Sequence, residues 1–79
     1  MRVRQMKSQV ESKTGTNFAI YTPVDFVSKN EGEVNYTYIV KVNVGDKCVH
    51  PKIFQDGGGV LTVQDAHYPK TTDDPLVPF

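Results

Sequence analysis

The spacing of apolar residues changes several times along the chain, and each change marks an element. Val3, Met6 and Val10 fall at i, i+3 and i+7, with Arg2, Arg4, Lys7, Gln9 and Glu11 outside that stripe, which predicts a short amphipathic helix. Gly15 supplies a left-handed stop for a helix ending near Lys13 or Thr14. Phe18, Ile20, Val24 and Phe26 then alternate with Ala19, Tyr21 and Asp25, the period of a strand buried on one face. Pro23 cannot donate to a ladder, so this strand lies at an edge or carries a bulge. The polar stretch from Ser28 to Glu33 reads as a hairpin connection.

Val34, Tyr36, Tyr38, Val40, Val42 and Val44 occupy every second position, which predicts a long half-buried strand. Gly45-Asp46 turns the chain into a run from Cys48 to Phe54, interrupted by Pro51. Asp56-Gly57-Gly58-Gly59 turns it again into Val60 to Val63. The expected fold is therefore α+β, one N-terminal helix packed across the apolar face of a four-stranded antiparallel meander. The tail from Pro69 to Phe79 holds three prolines and no period, yet Leu76, Val77 and Phe79 suggest that its end is docked.

Seventy-nine residues make one domain, 1–79, with a small core. Nine basic and nine acidic residues cancel, so no electrostatic signature points to nucleic acid or a membrane surface. The lone Cys48 cannot form an internal disulfide, and the N-terminus lacks the apolar run of a signal segment, so the expectation is a cytoplasmic protein.

Cys48 and His50 share a strand face, but side chains two residues apart stand about 7 Å from each other, too far for a thiolate–imidazole pair. A half-buried thiol beside a partly exposed His is the simpler expectation, with no catalytic residues. One Cys and two separated His lack the spacings of a metal site, and Gly57-Gly58-Gly59 lacks the Lys-Ser/Thr and helix of a phosphate loop, so neither metal nor cofactor is expected. What remains is a binding edge. In a meander the first and third turns lie at the same end of the sheet, which brings Lys29, Asn30, Glu31, Gly32 and Glu33 beside Asp56, Gly57, Gly58 and Gly59.

The run Ile39 to Asp46, continuing through Cys48-Val49-His50 to Ile53-Phe54-Gln55, resembles the central hairpin of the stefins, the single-domain intracellular cystatins. Leu61-Thr62 and Asp73-Asp74-Pro75-Leu76 to Phe79 resemble the stefin ending, and Gln5 to Lys13, Phe18 and Val24-Asp25-Phe26 resemble its helix and following strand. The resemblance implies reversible inhibition of papain-like cysteine proteases by a wedge made of an N-terminal trunk, a first hairpin of pattern Q-x-V-x-G and a second hairpin loop. The nine loop residues named above would then be the protease contacts.

Here the trunk is expected to be missing, because the chain begins near the helix. The Q-x-V-x-G positions fall on Lys29 to Glu33 or on Glu31 to Asn35, and neither register keeps the Gln or the final Gly. The second loop is shorter than in the family. A weakened inhibitor and a stefin-fold interaction module without inhibition both remain open. The resemblance also implies a monomer able to exchange its first hairpin into a domain-swapped dimer.

Overall fold

In the computed structural model, which describes residues 6–77 and 79, the chain runs α1 (Lys7–Thr14), β1 (Thr22–Asn30), β2 (Tyr36–Asn43), β3 (Cys48–Gln55) and β4 (Leu61–Lys70). The strands form one antiparallel sheet in the order β1-β2-β3-β4, the meander that the alternation predicts. Arg2, Val3 and Arg4, placed on the helix by their spacing, lie outside the described residues.

Helix α1 buries Val10 completely and packs against β4. It ends at Gly15, whose φ of 68° is the left-handed conformation expected there, with its N–H donating to the Glu11 carbonyl at 2.8 Å. The Glu11 carboxylate accepts from the Phe18 N–H at 2.7 Å and stands 3.9 Å from Lys7 Nζ. This contact holds the loop that delivers Phe18 and Tyr21 to the core. Burial, with the nearby Glu11 charge, pushes the Tyr21 phenol up to about 12, so it stays protonated at neutral pH.

Four expectations are corrected. Phe18 and Tyr21 are buried but precede β1, whereas Ile20, Val24 and Phe26, expected inside, are exposed. β1 is an edge strand and α1 packs at the opposite edge, so the helix does not cover these side chains. Pro23 does mark a bulge, where the β1–β2 register slips between Pro23 and Asp25. Second, β1 continues to Asn30, and the turn comprises residues 31–35, with Val34 at its tip rather than in a strand. Third, β4 extends from Leu61 to Lys70, far beyond Val63. Two register slips against β3 break its alternation, which hides its second half from a period count. Fourth, Cys48 and His50 are both buried.

That last burial comes from the far side of the sheet. Val40, Val42, Val49 and Ile53 point toward α1 and form the main core with Met6, Val10, Phe18, Tyr21 and Val63. Ile39, Cys48 and His50 alternate with them and face away, yet are also buried. The tail returns across this outer face. Phe79 stacks on His67 with ring centroids 3.6 Å apart, Lys52 Nζ lies 5.9 Å from the same ring, and Lys41 Nζ donates to the Thr72 carbonyl at 3.0 Å. Leu76 and Phe79 are therefore docked as expected, while Val77 is exposed.

Two measurements check this picture. Replacing Glu11 by Ala removes the acceptor of a charge-assisted bond at a partly buried N–H, and denaturant titration should show a loss of about 1.5–3 kcal/mol. The second concerns His50, whose pKa is lowered below the usual 6.5 by burial first, then by Lys70 and Lys41, with Asp74 acting in the opposite sense. The unfolded chain takes up this proton before the folded one, so the contribution is complete above pH 6.5 and is lost as pH falls below it. Unfolding free energies measured on both sides of that value should drop toward acid, and His50→Leu should flatten the slope.

Candidate functional site

The β1–β2 and β3–β4 turns lie at one end of the sheet and touch. A Cβ built on Gly57 would stand 2.8 Å from Val34 Cγ2, so only a bare α-carbon admits the Val34 side chain there. This contact brings together the two predicted loops, although neither Val34 nor Val60 is among their candidate residues. Each valine is 60% exposed, and together they give the edge an apolar component. Alternation places both in strands, and the signal that would move them is their position next to the Gly-containing turns.

Each turn is built by its own polar residues. In the first, the Glu31 N–H donates to the Asn35 carbonyl at 2.9 Å and the Asn30 side-chain oxygen accepts from Gly32 N–H at 2.8 Å. Lys29 and Asn30 therefore belong to the end of β1, while Glu31, Gly32 and Glu33 form the turn, exposed to solvent. The closing bond coincides with the Glu31 to Asn35 register for the Q-x-V-x-G positions.

In the second turn, Asp56 Oδ1 accepts from Gly58 N–H at 2.9 Å and from Val60 N–H at 3.0 Å. The Asp56 N–H donates to the Val60 carbonyl at 3.1 Å, and Gly59 adopts φ 85°. The glycine run is thus an ordered loop organised by Asp56.

Behind the turns an aromatic ladder stiffens the sheet. Phe26 and Tyr38 meet edge to face with centroids 6.1 Å apart, Tyr36 stacks on Tyr38 at 6.2 Å, and Tyr38 O–H donates to Gln55 Oε1 at 3.0 Å. These side chains floor an open groove of about 770 Å³ that reaches Gly58 and Gly59.

Cys48 and His50 sit away from this edge, in β3 beneath the tail, and His50 Nε2 has no hydrogen-bond partner. A thiol with no exposed surface offers no nucleophile to a substrate. Among the described residues no group of three or more His, Cys, Asp or Glu side chains could hold a metal ion.

One helix on an open four-stranded antiparallel meander, with two turns meeting at one end, defines a cystatin-like fold. The chain is 32% identical to Cystatin-A of Mus musculus over 78 residues, covering 95% of this chain and 78% of that protein. It is 40% identical to Cystatin-B of Mus musculus over 52 residues, 65% of this chain and 51% of that protein. No protein-family model matches it. The chain belongs to the stefins, the single-domain cystatins, as its hairpin and tail residues suggested.

The Asp56 loop can be tested by itself. Asp56→Ala should cost about 1 kcal/mol, by analogy with loss of a side-chain cap, and should speed hydrogen exchange at the Gly58 and Val60 amides. Gly57→Ala should force Val34 aside and shift its methyl resonances.

Proposed function

We propose that this protein is a reversible, non-covalent inhibitor of papain-like cysteine proteases, acting by occlusion of the active-site cleft. The observation that carries the reading is the packing of Val34 on Gly57, which joins two turns of a stefin-family chain into one projecting edge. An edge already held by hydrogen bonds and aromatic packing loses little conformational entropy on docking, the condition under which a modest contact area gives useful affinity. The contacts are Lys29 and Asn30 from the end of β1, Glu31, Gly32 and Glu33 from the first turn, and Asp56, Gly57, Gly58 and Gly59 from the second, with Val34 and Val60 beside them. No bond to the enzyme forms; the wedge excludes substrate. The inhibiting form is the monomer, and it acts in the cytoplasm.

The acidic residues set the strength. Glu31 and Glu33 are exposed at the turn that enters the cleft, and their carboxylates lose hydration there unless the enzyme supplies donors. Inhibition is therefore weak for this class, about micromolar, or roughly −8 kcal/mol.

Steady-state titration against papain and a lysosomal cathepsin tests the proposal. Inhibition should be competitive, and Val34→Asp should weaken it by about tenfold, equivalent to roughly 1.4 kcal/mol. Restoring the family residues with Glu31→Gln, Glu33→Val and Asn35→Gly should strengthen it by at least as much. Failure to inhibit either enzyme at tens of micromolar, about −6 kcal/mol, would overturn the reading in favour of a stefin-fold interaction module.

A further inference from the structure

The outer face of the sheet is covered unevenly. The end of the tail stacks over β4, where Phe79 meets His67, and leaves a recess of about 360 Å³ between itself and the β1–β2 hairpin. Val27, Ile39, Leu76 and Phe79 supply its apolar lining, with Ile39 buried at 3% exposure. A hollow of this size, mostly apolar with a few polar groups, falls in the range of small-molecule sites, roughly 300–1,000 Å³.

The polar groups gather at one end. In the β1–β2 ladder Lys29 lies directly opposite Thr37, and Val27 lies opposite Ile39 one step further from the turn on the same face. Side chains so paired have Cβ atoms about 5 Å apart, so a cation and a hydroxyl stand side by side ahead of an apolar pair. Thr37 is 8% exposed, yet its hydroxyl makes no hydrogen bond with another described residue. The Lys29 ammonium is likewise without an ion pair or hydrogen bond among the described residues. Both are donors left over by the fold. Lys52, at the other end, keeps its ammonium 5.9 Å from the Phe79 ring and so helps to hold the apolar wall in place. Glu31 is the acid of the lining, and it belongs to the turn, beyond the last ladder pair of Asn30 with Tyr36.

We propose that this recess binds a medium-chain aliphatic carboxylate, its head on Lys29 and Thr37 and its chain along Val27 and Ile39 toward Leu76 and Phe79. The carboxylate accepts from the ammonium and from the buried hydroxyl, which thereby gains the partner it lacks in the chain itself. The hydrocarbon leaves water against the apolar walls. An amine of the same length meets Lys29 with like charge, and an alcohol gives up the charge-assisted bond. Lys29 and Glu31 also border the proposed protease-contact edge, so the test reads binding directly and is independent of inhibition.

NMR titration with sodium decanoate, kept below its aggregation concentration, tests this. Saturable shifts should appear at Val27, Thr37, Ile39 and Leu76, while the methyls of Val10, Val49 and Val63, in the core beneath α1, stay in place. Lys29→Gln should weaken binding at least tenfold, and Lys29→Arg should retain it. Thr37→Val keeps the side-chain shape without the hydroxyl and should weaken binding several-fold. Glu31→Gln removes the like charge at the mouth and should strengthen it, and added salt should weaken it.

Val27→Trp fills the recess from a partly exposed position and should abolish the Ile39 shift, circular dichroism confirming that the fold is kept. Decylamine should leave the same resonances unmoved. Absence of a saturable shift at Ile39 and Leu76 overturns the proposal. So does equal affinity for decanoate and decanol, or undiminished binding by Lys29→Gln, since either result shows a recess that takes up hydrocarbon without reading the charged head.

Discussion

The structure depends on covering β3 from both sides. This strand reads Cys48-Val49-His50-Pro51-Lys52-Ile53, and alternate side chains on both faces have to leave water at once. Val49 and Ile53 are met by the core beneath α1, whereas Cys48 and His50 require cover on the opposite side, where the sheet would otherwise be wet. The chain has no second helix among its described residues for this and uses its last residues instead. Phe79 on His67 and the Lys41 bond to Thr72 hold an irregular tail against the outer face, and the main-chain groups of that tail remain near solvent, where water can satisfy them. Burial of a histidine with an unpartnered nitrogen is the cost of that arrangement.

The rest of the architecture follows from where cover runs out. Both α1 and the stacked end of the tail lie over the β3–β4 half, since α1 packs on β4 and Phe79 meets His67 of the same strand. β1 at the other edge receives neither and leaves Val24 and Phe26 exposed. Most of the exposed large apolar side chains thus lie along the β1 edge and at the end where two turns project, with Ile20 and Val77 outside these two places. A small domain cannot bury all its apolar surface, and surface left uncovered in contiguous form is surface available for recognition.

At that projecting end, local and long-range constraints work together. Asn30 and Asp56 each build a turn through their own neighbours, a chemistry that acts over a few residues. The union of the turns needs something else, a missing side chain at Gly57 into which Val34 fits from the other turn. That fit holds the two turns together, with the exposed Glu31 and Glu33 beside it. Much of this end was legible in the sequence, for reasons of range. The helix stop at Gly15, the bulge at Pro23, the alternation of β2 and the existence of a turn after β1 and at Asp56 arise from backbone preferences and side chains acting on near neighbours, so a local pattern reports them, although it sets the first turn at Ser28 to Glu33 instead of at residues 31–35. The stefin relationship was likewise carried by residue identities in the hairpin and tail.

Tertiary structure alone decided which alternating strand is buried. Val24 and Phe26 have the same period as Val40 and Val42, but the first pair lies on an edge strand that α1 does not cover and the second beneath α1, and an alternating pattern states that a strand has two faces without stating what covers them. It also decided that Cys48 and His50 are inside, that β4 continues through two register slips, and that Val34 meets Gly57. Each is a contact between segments distant in sequence, where burial is set by the partner and not by the residue itself.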